Sequence, residues 1–192
     1  MTAESHDSQI LDIIRLDLQF LLPLLIQFPK CYWIWNHRVW LLEQATHLLP
    51  AAKARPLWEE ELRLAGKMLS RDSRNFHGWG YRRTIVDHLE SDKLNGKSMA
   101  RDELDYTTRM ISTNLSNFSA WHNRTKLISR ILDERSADED ERRAMLDEGD
   151  MGHADQGFAM ADVNRDCAHS QGAVRPIRPV ALVLSSDPSV HI

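Results

Sequence analysis

The sequence predicts an all-α fold, a right-handed superhelix of stacked antiparallel helix hairpins followed by a disordered C-terminal tail. Three observations carry that expectation. One signature occurs in three copies, at Cys31-Tyr-Trp-Ile-Trp-Asn-His-Arg, Asn75-Phe-His-Gly-Trp-Gly-Tyr-Arg and Asn117-Phe-Ser-Ala-Trp-His-Asn-Arg. Its tryptophans, Trp35, Trp79 and Trp121, stand 44 and 42 residues apart, a period that marks stacked supersecondary units. Each copy also follows a stretch whose apolar residues recur every three or four positions, as on one face of a helix.

The first such stretch runs from Ile10 to Gln27, with Leu11, Ile14, Leu18, Leu21, Leu22 and Leu25 on the apolar face and Pro23 expected to bend it. The second runs from Leu57 to Leu69 through Trp58, Leu62, Ala65, Met68 and Leu69, with Pro56 in its first turn. The third runs from Ala100 to Ser112 through Leu104, Thr107, Thr108 and Ile111. Breaks at 28–30, 71–74 and 113–116 separate each of these helices from its Trp-x-x-Arg helix. Leu49-Pro50 and Asn95-Gly96-Lys97-Ser98 separate one pair from the next. One hairpin cannot bury its apolar side alone, but three in a stack share a core. The expected organisation is a flexible N-terminus over 1–9, a helical-repeat domain over 10–148 and a disordered or weakly ordered tail over 149–192. Arg135 to Leu146 is expected to begin the first helix of a fourth pair, and the carboxylates from Asp138 to Glu141 to be a solvated helix face. Val180-Ala-Leu-Val-Leu184 reads as a lone strand without a partner.

Composition excludes several classes of function. The 192 residues carry a formal charge of −4 and a pI near 6.1, so no global basic surface points to nucleic acid. Cys31 and Cys167 are the only cysteines, which makes no disulfide framework and suits a reducing compartment. The apolar run from Phe20 to Phe28 is too short for a membrane span and lies too far in for a secretory signal, so a cytoplasmic location is expected. The nine histidines show no His-x-x-x-His spacing and there is no Cys-x-x-Cys, so no metal site is expected in this chain. Gly-rich phosphate loops and Gly-x-Ser-x-Gly are absent too.

Within the signature, positions three apart share a helix face, which pairs Trp35 with Arg38, Trp79 with Arg82 and Trp121 with Arg124. Features common to all copies belong to the scaffold. The tryptophans are expected to fill the space between hairpins and the arginines to reach back to carbonyl groups or stack on an aromatic ring. The leading aromatics, Tyr32, Phe76 and Phe118, are expected to pack as staples at the helix entry. Function is sought where the copies differ. Lys30 and Tyr32 flank the start of one signature helix and His77 lies in the first turn of the next. A helix N-terminus already favours anions. An ammonium, a phenol and an imidazole added to that rim suit a phosphate or diphosphate, or the charge of a departing one.

With these residues in view, the chain resembles the α subunits of protein prenyltransferases. Their repeats carry Pro-x-Asn-Tyr-x-x-Trp-x-x-Arg at this period, and Pro29–Leu42, Asp72–Val86 and Asn114–Ile128 follow it. The likeness spans roughly residues 10 to 146, and the runs from Asp72 and Asn114 are similar to those of Rab geranylgeranyltransferase (type II) α subunits. The resemblance implies a crescent around a β subunit, an α/α barrel that holds the catalytic zinc and the lipid pocket. It further implies a heterodimer that moves the geranylgeranyl group of geranylgeranyl diphosphate onto C-terminal cysteines of Rab GTPases presented by an escort protein. In that scheme Lys30 and Tyr32 are catalytic, and His77 joins them at the diphosphate. The chain then needs no cofactor of its own and is inactive alone.

This sequence departs from the pattern in three respects. Phe76 stands where a tyrosine is usual, and Cys31 replaces an asparagine, which is expected to loosen that turn. Repeats expected before residue 10 and after residue 146 are missing, so the chain reads as a shortened form. The alternative reading is a non-catalytic helical-repeat scaffold for protein interactions, since the period also falls near that of HEAT repeats.

Overall fold

The structure, a computed structural model, describes residues 3–144. The tail expected over 149–192 and the strand expected over Val180–Leu184 lie outside the described residues. The described part contains the α-helices α1 (Ala3–Gln27), α2 (Tyr32–Leu48), α3 (Ala51–Arg71), α4 (Phe76–Glu90), α5 (Ala100–Thr113) and α6 (Phe118–Glu134), with a short 3-10 turn at Asp92–Leu94 and a further helical stretch over 139–144. No strand occurs among the described residues. α1 packs on α2, α3 on α4 and α5 on α6, while α2 also contacts α3 and α4 and so joins one hairpin to the next. The all-α architecture of helix hairpins expected from the repeats is therefore the one observed.

The apolar periodicity does the packing. Ile14, Leu18, Leu21 and Leu25 of α1 share a continuous core with Trp35, Leu42 and Ala45 of α2 and with Leu57 and Trp58 of α3. A smaller core joins Leu69 and Trp79 to Ile111 and Ala120. Between hairpins two and three the chain turns through Asn95, whose φ of 53° is left-handed. Gly96 follows so close to the backbone that a Cβ there would lie 2.2 Å from the Leu89 carbonyl oxygen. Only glycine fits.

Three expectations about helix ends are corrected. α1 begins at Ala3, so residues 3–9 are helical rather than flexible. Glu4 in the first turn suits the helix dipole, and Lys53 of α3 pins Asp7 at 3.1 Å. α3 begins at Ala51 behind Pro50, which places Pro56 inside the helix rather than in its first turn. Alanines with little apolar periodicity hid those extra turns, although Ala54 is fully buried. The leading aromatics are not staples, for Tyr32 is 46% exposed, Phe76 67% and Phe118 51%. A staple needs an apolar residue just before the cap. Here those positions hold Lys30, Arg74 and Ser116, and the aromatics fall one place inside the helix.

A buried carboxylate joins each pair of neighbouring hairpins. Arg38 donates from Nε and Nη2 to Glu61 at 3.0 and 2.5 Å, and from Nη1 to the Leu18 carbonyl at 2.6 Å. Tyr81 donates its hydroxyl to the same carboxylate at 2.5 Å. Burial, followed by the charge of Glu61, pushes the Tyr81 hydroxyl well above its ordinary value, so it stays protonated and donates. One repeat later Arg82 forks onto Glu103 at 2.8 and 2.6 Å, with its guanidinium 3.5 Å from the centre of the Tyr106 ring. The expected carbonyl and ring contacts of the arginines therefore occur, but the principal partner is a glutamate of the following hairpin. Arg124 instead reaches Thr108, whose hydroxyl donates to the Leu104 carbonyl.

The two environments separate in a stability measurement. Arg38→Ala leaves Glu61 buried without its cation and is expected to cost about 3–5 kcal/mol in urea unfolding. Arg124→Ala removes a hydroxyl contact at a half-exposed edge and is expected to cost about 1 kcal/mol. Equal losses for the two would contradict a special role for the buried pair.

Candidate functional site: the rim where the signature helices begin

The N-termini of α2, α4 and α6 are built by one device repeated. Each signature tryptophan donates its indole N–H to the carbonyl six residues back: Trp35 to Pro29, Trp79 to Ser73 and Trp121 to Leu115, each at 2.9 Å. The bond closes the turn that delivers the chain into the helix. Asn75 and Asn117 then cap α4 and α6 by accepting from the amides of Gly78 and Ala120, each at 3.2 Å. Cys31 occupies the cap of α2 and makes no such side-chain bond. The Cys31 amide still donates to the Phe28 carbonyl at 3.0 Å, so the turn stays closed although its cap is weaker.

Successive turns are tied to one another. Asn75 donates from Nδ2 to the Pro29 carbonyl at 2.9 Å, and Arg74 donates to the Ser116 carbonyl at 3.0 Å. The turn bearing Lys30 and Tyr32 is thus held against the turn that leads into His77. Lys30 is exposed and forms no ion pair among the described residues. Tyr32 opens α2 with its ring 4.7 Å from that of Trp33. His77, half-buried in the first turn of α4, lines a cleft of about 150 Å³ with Trp35, Asn36, Val39 and Tyr81. Copies one and three have Trp33 and Ser119 at the position of His77, so the imidazole occurs once. The rim therefore offers an ammonium without an ion pair among the described residues, a phenol and an imidazole beside exposed aromatic rings.

The six signature residues fall elsewhere, in the scaffold. Trp35 and Trp79 are buried behind the rim, and Arg38 and Arg82 lie one turn deeper on the glutamates. Trp121 and Arg124 are half-buried at the last hairpin. Glu61 and Glu103 were not anticipated as partners, yet Arg38–Glu61 and Arg82–Glu103 have nearly equal spacings of 23 and 21 residues. The carboxylates at Asp138–Glu141 are all exposed, as expected of a solvated face, and two of them also cap the helix they open. Asp138 accepts from the Glu141 amide at 2.9 Å while Glu141 accepts from the Asp138 amide at 3.2 Å, a reciprocal cap opening the helical residues 139–144. No cluster of three or more His, Cys, Asp or Glu side chains fit to hold a metal occurs among the described residues. No helix among them is long and apolar enough to cross a membrane.

The model of the protein prenyltransferase alpha subunit repeat matches residues 14–45, 58–89 and 100–131. The chain is 46% identical over 135 residues to the geranylgeranyl transferase type-2 subunit alpha of Candida albicans, covering 68% of this chain and 35% of that protein. The subunit of the same name from Saccharomyces cerevisiae is 43% identical over 116 residues, 60% of this chain and 33% of that protein. The one from Schizosaccharomyces pombe is 45% identical over 77 residues, 40% and 22% respectively. The chain thus matches about a third or less of the length of these relatives. No solved structure matches it.

The cap geometry makes a prediction of its own. Cys31→Asn supplies the acceptor that α2 lacks and is expected to stabilise the chain by about 0.5–1 kcal/mol. Asn75→Ala removes a cap and the link to Pro29 together, and is expected to cost about 1–3 kcal/mol. Urea midpoints measure both, and a Cys31→Asn variant no more stable than the parent would contradict the vacant-cap reading.

Proposed function

This chain belongs to the protein prenyltransferase α-subunit repeat family, and from that premise we propose that it acts as part of the α subunit of a Rab-directed, type II geranylgeranyl transferase. Its partner is a β subunit that holds the zinc and the lipid pocket. The complex takes geranylgeranyl diphosphate and a Rab GTPase presented by an escort protein, and the chain alone is inactive. The carrying observation is the tied rim, where Asn75 fastens the Lys30–Tyr32 turn to the turn leading into His77. The exposed rings of Tyr32, Phe76 and Phe118 along that rim give a β subunit apolar surface to cover. A HEAT-like scaffold has no need of this signature, and the repeat match does not favour it.

In the transfer, a substrate thiolate forms a carbon–sulfur bond at C1 of the prenyl group while the C1–oxygen bond breaks and diphosphate departs with the electron pair. Negative charge grows on the departing oxygens. Lys30 offsets it with an exposed ammonium that has no ion pair among the described residues, and Tyr32 and His77 donate hydrogen bonds to the same group. A zinc ion on the β subunit would supply the chemistry that keeps the substrate cysteine as its thiolate.

Co-expression with a type II β subunit and an escort protein tests this reading. Lys30→Ala is expected to leave the complex intact on gel filtration and to slow transfer by on the order of a hundredfold. An unchanged transfer rate would remove Lys30 from the chemistry, and failure of the parent chain to form a complex would overturn the assignment itself.

A further inference from the structure

Away from the rim, a second opening separates α4 from α6, a groove of about 440 Å³. Its origin lies in one repeat position. Between α2 and α4 that position holds Tyr81, whose ring fills the space against Trp35 with centroids 4.9 Å apart. In the next copy the same position is Asn123, too small to do so. The groove that results is lined with charge. Arg82 is neutralised by Glu103, and Arg130 by Glu90 and Glu134. Arg83 and Lys126 have no carboxylate within ion-pair distance among the described residues.

Arg83 is specific to this copy, the equivalent residues being Val39 and Thr125. Its guanidinium donates to the Asn123 side-chain oxygen at 3.1 Å, a neutral acceptor. Burial lowers its pKa and Asp87, one turn further on, opposes that only in part. His122 lies beside the groove, and after burial the charges of Lys126 and Arg83 are what disfavour its protonation. Arg83 and Lys126 are both exposed, and of the two carboxylates in the groove lining Glu103 is taken by Arg82 while Asp87 lines it together with both remaining cations, so the lining keeps a net positive charge.

We propose that the α4–α6 groove is a docking site for an acidic segment of a partner protein, with carboxylates seated on Arg83 and Lys126. Its shape favours a polypeptide over a small anion. The lining runs from Trp79 to Asp87 on α4 and from Asn123 to Arg130 on α6, roughly 10 Å at the helical rise. That length accommodates about three residues of extended chain. Val86 and Leu127 form apolar wall beside the cations, so the fitting segment alternates acidic and apolar side chains. The inference does not rest on prenyl transfer, because it uses neither the rim nor its residues.

The probe is a synthetic hexapeptide alternating leucine and glutamate, added to the full chain and followed by calorimetry. Its glutamine counterpart and inorganic phosphate serve as comparisons. The acidic peptide is expected to bind roughly tenfold or more tightly than the glutamine form, and Arg83→Gln and Lys126→Gln each to weaken it by about that factor. Asn123→Tyr, which restores the residue of the preceding copy, is expected to abolish binding while circular dichroism stays unchanged. Lys126 is exposed, so its variant reports binding even where Arg83→Gln fails to fold. Equal binding of the two peptides, or binding indifferent to Lys126→Gln, would overturn the proposal. Displacement of the peptide by equimolar phosphate would also overturn it, in favour of a small-anion site.

Discussion

A buried arginine that forks onto a buried glutamate of the next hairpin is the interaction on which this architecture depends. Helix hairpins with apolar faces can slide or rotate against each other at little cost, because dispersion and burial are not directional. A bidentate guanidinium–carboxylate pair is directional, and in a dry interface it is costly to leave half made. Arg38–Glu61 and Arg82–Glu103 therefore fix which turn of one hairpin meets which turn of the following one. Tyr81 adds a third element, binding Glu61 through its hydroxyl while its ring packs against Trp35. A single side chain from the second hairpin thus reads both the core and the ion pair of the first.

Register set in the core determines what is available at the surface. Because α2 and α4 are locked together, the turns before them meet, and Asn75 can reach the Pro29 carbonyl. Lys30, Tyr32 and His77 then share one end of the stack as a consequence of contacts they do not make. The polar rim can vary from copy to copy without loss of fold, since Trp35, Trp79 and Trp121 close their turns through backbone carbonyls that any residue supplies. The same freedom explains the groove. Replacing a tyrosine by Asn123 at one repeat position and placing Arg83 two residues along from the buried Tyr81 changes a filled seam into a charged opening, while the arginine–glutamate pair beneath it persists.

Much of this was legible in the chain. A period of 44 and 42 residues and the three- and four-residue spacing of Ile14, Leu18, Leu21 and Leu25 were enough for the helix pairs and their core. Glu61 escaped because it follows Glu59 and Glu60 on a helix of charged residues, and composition does not show that only the third of them is buried. The spacing from Arg38 to Glu61, nearly repeated from Arg82 to Glu103, was the available clue. Pro56 misled the reading of α3, since proline is at home in a first turn but is tolerated later where neighbouring packing is strong. Lys30, Tyr32 and His77 stood out as an oddity of the copies, and the roles proposed for them rest on that difference. Single groups at a surface rim have no packing signature from which a role could be read.

The central claim is that hairpin register rests on a coupled pair rather than on two independent side chains. A double-mutant cycle with Arg38→Met and Glu61→Leu, read by urea unfolding, measures that coupling most directly. The account predicts that either single change is severely destabilising and that the double variant is no worse than the milder single, a coupling at least as large as the greater single loss, about 3–5 kcal/mol. Strictly additive losses would show that the two residues act separately, and the register would then have to be set by apolar packing alone.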